Sequence, residues 1–322
     1  MIFTSIPDNY APINEPLLYQ FSLGGEQATA DVKIIDVAHD RTIATRRLYG
    51  VQSGQIDVAP YLKRCFEFAP IDGDISIGDA TGLYADIVVE VDGERSEERL
   101  FSPYQVSAGV GTLFRADTKL QNLSLGESDY IVIYAPLGGV VSCEFYTGET
   151  IGDRTDMTIA AQPGLQILKI GTESLMPEVD SMLVEINLDG VVDYLSYRIV
   201  PRAEGAKRLV WLTPKGMVQA YTFPTCRSHQ VRIEKQRIES HNGYKIVAGS
   251  AEKVLSLISD YETAAKIEQL GTILEAEYVY LDGGSVSQRV DVVSTESVVR
   301  YGGALNSLQV DIRACDRKEE LL

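Results

Sequence analysis

The chain has 322 residues, is 45% hydrophobic and carries a formal charge of −17. That length exceeds what one β-sandwich needs and suits three domains of roughly 100 residues each, and the apolar content excludes disorder as the default state. The acidity argues against nucleic acid or an anionic membrane as the main partner, because both are bound by basic surfaces. No stretch approaches the ~20 consecutive apolar residues of a membrane span. Met1 to Asp8 has no basic n-region and no apolar h-region, so no signal peptide is read and synthesis in the cytoplasm is expected. Cysteines stand singly at 65, 143, 226 and 315; such spacing predicts buried reduced thiols and no disulfide framework or structural zinc.

In chain order, the first domain reads as strands over 17–23, 30–37 and 42–49, then Ile56 to Leu62 as a strand entering a short turn or helical knot. Ala85, Ile87, Val89 and Val91 share one face of a strand, with Asp86, Glu90 and Asp92 towards the other; this period-two alternation marks burial on one side. Asp92-Gly93 follows, and a type I′ hairpin turn needs positive φ at both of its central residues.

The second domain says the same again, with strands over 130–134, 140–146, 156–161 and 165–170. Val184, Ile186 and Leu188 alternate with Glu185 and Asn187, and Asp189-Gly190 closes a second hairpin onto Val191, Asp193, Leu195 and Tyr197. Leu23-Gly24-Gly25 is matched by Leu137-Gly138-Gly139. The Leu-Gly-Gly pair is spaced by 114 residues (23 to 137) and the Asp-Gly pair by 97 (92 to 189), so the first copy carries about 17 extra residues, placed at Pro70 to Leu83. Repetition on this scale predicts tandem copies of one β-domain.

Pro201 to Lys207 reads as a linker. Beyond it come strands over 209–212, 218–223 and 229–239, then Ser250 as the N-cap of a helix through Ser259 and a second helix over 261–270. Ile267, Leu270 and Leu274 recur at helical spacing. A hairpin follows at Tyr278 to Val293, and a last strand places Leu308, Val310 and Ile312 on one face. The charged tail, 316–322, is expected to fray. The fold class is thus mainly β: two tandem Ig-like β-sandwich domains (1–104 and 105–202) and a β-rich domain (203–322) with one or two short helices near 250–271.

Residues that carry chemistry are sparse. His39, His229 and His241 lie in no ligand spacing, no G-x-S-x-G elbow occurs, and Cys226/His229 form a lone C-x-x-H short of a zinc set. Asp72, Asp74 and Asp79 are the best calcium candidates, since clustered carboxylate oxygens on a loop suit that ion, but the EF-hand pattern fails at its glycine and at Leu83. The glycine pairs lack a following Lys-Ser or Lys-Thr and read as turns. Arg227, Arg232, Lys235 and Arg237 are interleaved with Val231 and Ile233, a pattern of a solvent-facing edge strand more than of a nucleic-acid site. No catalytic residue and no cofactor is expected.

One segment, Trp211-Leu212-Thr213-Pro214-Lys215-Gly216-Met217-Val218-Gln219-Ala220-Tyr221-Thr222-Phe223, has the form W-L-x3-G-x4-Y-T-F. It resembles structural proteins of tailed phages and prophages, especially tail or baseplate components. The closing part from Leu270 to Ala314 and the opening Ser5 to Pro16 are similar to the same group. Trp211, Gly216, Tyr221 and Phe223 carry the resemblance; asparagine would be expected where Thr213 stands, and Pro214 departs from the pattern. The resemblance implies a non-enzymatic tail component that forms a homo-oligomer, contacts other structural proteins and resides in a virion or phage-like particle. The alternative from another class is a surface adhesin or glycan-binding multi-domain β-protein, and a soluble enzyme stands third.

Overall fold

The structure is a computed structural model that describes residues 1–25, 28–63, 65–107, 109–115, 120–241, 243–283, 286–303 and 305–315; the charged tail lies outside them. Its first unit is built from β1 (Ile2–Ser5), β2 (Leu18–Ser22), β3 (Ala28–Asp36), β4 (Arg41–Val51), β5 (Ser53–Asp57), helix α1 (Ala59–Leu62), β6 (Ile75–Asp79), β7 (Ala85–Val91), β8 (Glu94–Arg95) and β9 (Arg99–Phe101). One sheet runs β1-β2-β5 and the other β4-β3-β7-β8, with β9 also on β7. Their inner faces meet through Tyr19 and Phe21 on one side and Val32, Ile34, Ile87, Val89 and Val91 on the other.

The second unit repeats this pairing strand for strand. It comprises β10 (Thr112–Phe114), β11 (Leu120–Ser124), β12 (Ser128–Tyr134), β13 (Gly139–Thr147), β14 (Thr150–Ile159), β15 (Leu165–Gly171), β16 (Ser181–Leu188) and β17 (Val191–Val200). Here β10-β12-β15 form one sheet and β14-β13-β16-β17 the other, with β11 added parallel to β17. Both units are Ig-like β-sandwiches. Their last hairpins turn at Asp92-Gly93 (φ 51° and 89°) and Asp189-Gly190 (φ 49° and 88°), the paired positive φ that the two dipeptides demand. The extra residues of the first copy hold β6 and a 3₁₀ turn (Thr81–Leu83). Strand β6 does not stay in its own sandwich. It extends the second one, antiparallel to β15, with Ile77 opposite Leu168.

The third unit is a seven-stranded antiparallel sheet. It holds β18 (Lys207–Leu212), β19 (Val218–Phe223), β20 (Thr225–Ser240), β21 (Gly243–Ile258), helix α2 (Ala264–Gly271), β22 (Val279–Asp282), β23 (Ser287–Val292) and β24 (Gln309–Ala314), ordered β19-β18-β22-β23-β24-β21-β20. Residues 250–258, read as a helix, are strand: β21 is flanked in register by β20 and β24, and Val254, Leu255, Ser256 and Leu257 are all buried between them. Helix α2 starts later, with the Thr263 hydroxyl accepting from the Lys266 amide at 3.3 Å. Its Ile267 and Leu270 cover the sheet with Leu308, Val310 and Ile312, as their spacing predicts.

The units share cores. In sheet β10-β12-β15-β6 the two central strands are buried on both faces: Ile131, Ile133, Leu168 and Ile170 face the second sandwich's interior, while Tyr130, Val132, Tyr134, Leu165 and Ile167 join the core of the first sandwich, together with Val210, Leu212 and Val218 of the third unit. Phe68, 2% exposed, stands edge-on to Tyr130 (5.7 Å) and Tyr280 (5.9 Å) and so touches all three units. Tyr10 holds a left-handed φ of 65°, uncommon for a bulky residue; its ring lies 5.4 Å from Tyr134 and its hydroxyl donates to the Pro163 carbonyl at 3.1 Å.

A polar knot reinforces the seam. Buried Arg208 donates to the Ser128 carbonyl (2.6 Å) and the Thr222 hydroxyl (3.0 Å), beside the carboxylates of Glu127 (3.9 Å) and Asp129 (3.6 Å). The Ser128 amide donates across the same seam to Asp282 at 3.0 Å.

Two substitutions test this junction. Phe68→Ala should cost about 3–5 kcal/mol of global stability, seen as a lower urea midpoint of one cooperative transition followed by circular dichroism; a change confined to one of several transitions would contradict the shared core. Arg208→Ala strands Glu127 and Asp129 without their cation and should cost about 3–5 kcal/mol, whereas replacing Arg208, Glu127 and Asp129 together by apolar residues should cost less. Equal losses in the single and triple variants would show that uncompensated charge is not the cause.

Candidate functional site

The residues that the sequence singles out do not converge. Asp74 is committed to the fold: its carboxylate accepts from the amides of Glu173 (2.9 Å) and Ser174 (3.0 Å) and from the Ser174 hydroxyl, while its carbonyl accepts from the Gly171 amide at 2.8 Å. It therefore latches the loop after β15 to the strand donated by the first unit. The Asp72 carbonyl accepts the Ser76 hydroxyl (2.7 Å), and Asp79 ends β6 opposite Gln166. Among the described residues, no three His, Cys, Asp or Glu side chains gather as a metal ion requires.

Histidines and cysteines are equally scattered. His39 pairs through Nδ1 with buried Asp36 at 2.8 Å, alongside Arg41 at 3.1 Å. Cys226 and His229 approach to 3.5 Å with no further ligand type. The expectation of four buried thiols holds for one: Cys143 is buried, which pushes its thiol up to about 12, but Cys65 and Cys226 are half-buried and Cys315 is exposed. The last cysteine stands just after the final strand, β24.

The motif residues serve packing. Trp211 is fully buried, with Nε1 donating to the Thr272 hydroxyl at 3.0 Å. Tyr221 and Phe223 share a face of β19, their rings edge-on at 5.1 Å. At the turn between them and Trp211, the Thr213 hydroxyl accepts the Met217 amide (3.0 Å), which is how this chain manages without asparagine. Gly216 has φ +80°, and a Cβ there would lie 2.0 Å from Pro103 Cβ, so the turn seats against the first unit only as glycine. A cleft of about 420 Å³ lies beside this hairpin, and part of its polar lining is engaged internally: the Tyr221 hydroxyl donates to Glu262 (3.1 Å) and accepts from the Asp260 amide (3.1 Å), and Arg208 belongs to the knot above.

What remains is a surface the sequence reading missed. Strand β21 pairs with β24 only over Val254 to Ile258, yet it pairs with β20 as far as Gly243. Residues 231–253 thus leave the sheet as a two-stranded ribbon about 35 Å long, at ~3.3 Å per residue. Val231, Ile233, Ile238, Tyr244 and Ile246 are all at least half exposed on it. Cross-strand partners and alternate residues share a face. Strand β20 alternates unbroken past a bulge carried by β21, which sets Val231, Ile233, Lys235, Arg237 and Glu239 with Lys253, Ile246 and Tyr244 on one side, three cations against one carboxylate. That side is apolar and basic. The Asn242-Gly243 dipeptide between two alternating runs was the available signal for this hairpin.

No family model matches the chain, and no curated protein matches it. Solved structures that resemble it include a chain of the complex of Dpr2 Ig1-Ig2 with DIP-Theta Ig1-Ig3 (12% identity, TM-score 0.19, 62% of this chain and 98% of that chain). They also include the N-terminal four Ig domains of Dscam1 (10%, 0.21, 81% and 72%) and a tetra-tandem repeat from the extending region of a large adhesion protein (12%, 0.22, 97% and 73%). At such TM-scores the likeness has no bearing on activity, and the fold assignment stands on strand order.

Asp74→Ala should cost about 1–3 kcal/mol through the orphaned loop donors, measured by urea unfolding. A calcium site would instead appear as added stability, about 2.7 kcal/mol at a hundredfold excess of ion over Kd; with both Asp74 oxygens already accepting, calcium should leave the melting temperature unchanged.

Proposed function

We propose that this chain is a non-enzymatic multi-domain β-protein that works by protein–protein contact: a rigid three-unit body that holds a basic, apolar-studded ribbon away from itself. The carrying observation is the ribbon. Its apolar side chains are exposed on a strand pair that the described residues leave uncovered, and a protein that needed only solubility would gain nothing from that arrangement. The narrower reading we favour is an adhesive or assembly module built on tandem Ig-like sandwiches. The tail-component reading rests on the Trp211 to Phe223 motif and on the segments 5–16 and 270–314, and Trp211, Tyr221 and Phe223 of the motif are used in packing the third unit. Absence of a catalytic constellation is part of the same proposal, since Asp74 serves as a latch and His39 and His229 pair with Asp36 and Cys226.

A contact element is open in the free chain and covered in its complex. Trypsin should therefore cut the free protein at Lys235, Arg237 and Lys245 well before the body, and cut these sites at least tenfold more slowly in the assembly isolated from the native source. Equal cutting in both, read by mass spectrometry, would sink the proposal.

A further inference from the structure

We infer that the ribbon's partner is a second copy of this chain, and that it docks on the outer face of sheet β14-β13-β16-β17. This deepens the contact function proposed above and rests on it. The register of that sheet sets three rows of outward residues: Arg154–Glu144–Leu183–Ser196, Asp156–Ser142–Glu185–Tyr194 and Thr158–Val140–Asn187–Val192. Val140, Val192 and Tyr194 are each more than two-fifths exposed, an apolar strip on a face that a lone sandwich would keep polar. Three carboxylates, Glu144, Asp156 and Glu185, stand among them against Arg154, which pairs with Glu144 and Asp156 at 3.0 and 2.9 Å, and the next row adds exposed Arg198 opposite Ser181, leaving the face acidic by one charge.

The two surfaces match in kind and oppose in charge. Aliphatic and tyrosyl side chains alternate with Lys235, Arg237 and Lys253 on the ribbon, and with carboxylates on the sheet. The chain as a whole is divided in the same way. Residues 225–258 hold six lysines and arginines against three glutamates, while the rest holds 23 against 43. A basic arm on an acidic body finds its complement on any neighbouring copy, and opposite fields both steer the encounter and fix its register.

The contact joins different patches on each partner, so it is head-to-tail and propagates into a ring or a chain and not a closed pair. A ribbon about 35 Å long and ~10 Å wide buries on the order of 700 Å² counting both sides, below the ~1,600 Å² of a stable interface. Assembly is therefore weak per contact, concentration-dependent and salt-sensitive.

Sedimentation velocity of the full chain across about 1 to 100 μM tests this. Self-association that rises with concentration and falls with salt is expected. Lys235→Glu/Arg237→Glu should weaken it at least tenfold, as should Asp156→Lys/Glu185→Lys, with unchanged melting temperatures showing that both variants fold. Mixing the two should restore association, because each arm then meets a face of opposite sign. A full chain that stays monomeric to 100 μM, or arm reversals without effect, or a mixture that fails to recover would overturn the inference. A monomeric chain whose ribbon is nonetheless protected from trypsin in the native assembly would place the ribbon on a different protein, refuting the second copy while leaving the contact function intact.

Discussion

Burial of one sheet's two central strands on both faces is the constraint from which the rest of the architecture follows. Strands β12 and β15 have their described residues buried along their full length, and neither of the flanking cores is complete without them. A sandwich strand normally gives one face to water and alternates accordingly; these two give both faces to protein. Tyr130, Val132 and Tyr134 therefore do for the first sandwich and the third unit what Ile131 and Ile133 do for the second. With side chains interdigitating on both sides at close-packed density, neither flanking unit can rotate without opening a void. Strand β6 adds a backbone ladder across the same boundary, and Arg208 adds a charged knot that is costly to separate. The body is held as one piece by three different kinds of interaction at one place.

Some of this was legible in the sequence because the determinants are local. Asp92-Gly93 and Asp189-Gly190 fix positive φ wherever they occur between alternating runs, and the spacing between the copies located the insertion at 70–83. Ser250 to Ser259 misled for an equally physical reason: glutamate, lysine and leucine after Ser250 favour a helix on propensity, but propensity amounts to tenths of a kcal/mol per residue. Pairing on both edges with β20 and β24 and burial of Val254, Leu255 and Leu257 outweigh that. The continuous run Tyr130-Ile-Val-Ile-Tyr was the trace of two-sided burial, but a sequence gives no sign of which second partner does the covering.

The candidate site was hidden by the same error. A polar strand over 229–239 is visible on its own, but its projection is a property of register, set by how few residues of β21 reach β24. With 250–259 taken as helix, β20 had no partner of equal length and the ribbon did not exist. The charged residues named in advance, Lys235 and Arg237, were placed correctly on an edge; what changed is that Ile246 and Tyr244 stand beside them, turning a solvated edge into an amphipathic face.

That face also accounts for its own stability problem. Two strands without a third, and without a core beneath them, are marginal in water, and exposed Val231, Ile233 and Ile246 add nothing until something covers them. The lysines and arginine keep such a ribbon from pairing with any passing edge, since desolvating them without a counter-charge is unfavourable. An acidic, apolar sheet face removes that penalty and buries the aliphatic groups in one step. The area so covered stays well below that of a stable interface, which limits the contact energy. That keeps each contact weak while leaving its specificity to charge, and it lets a rigid body build an extended array from contacts that are individually reversible.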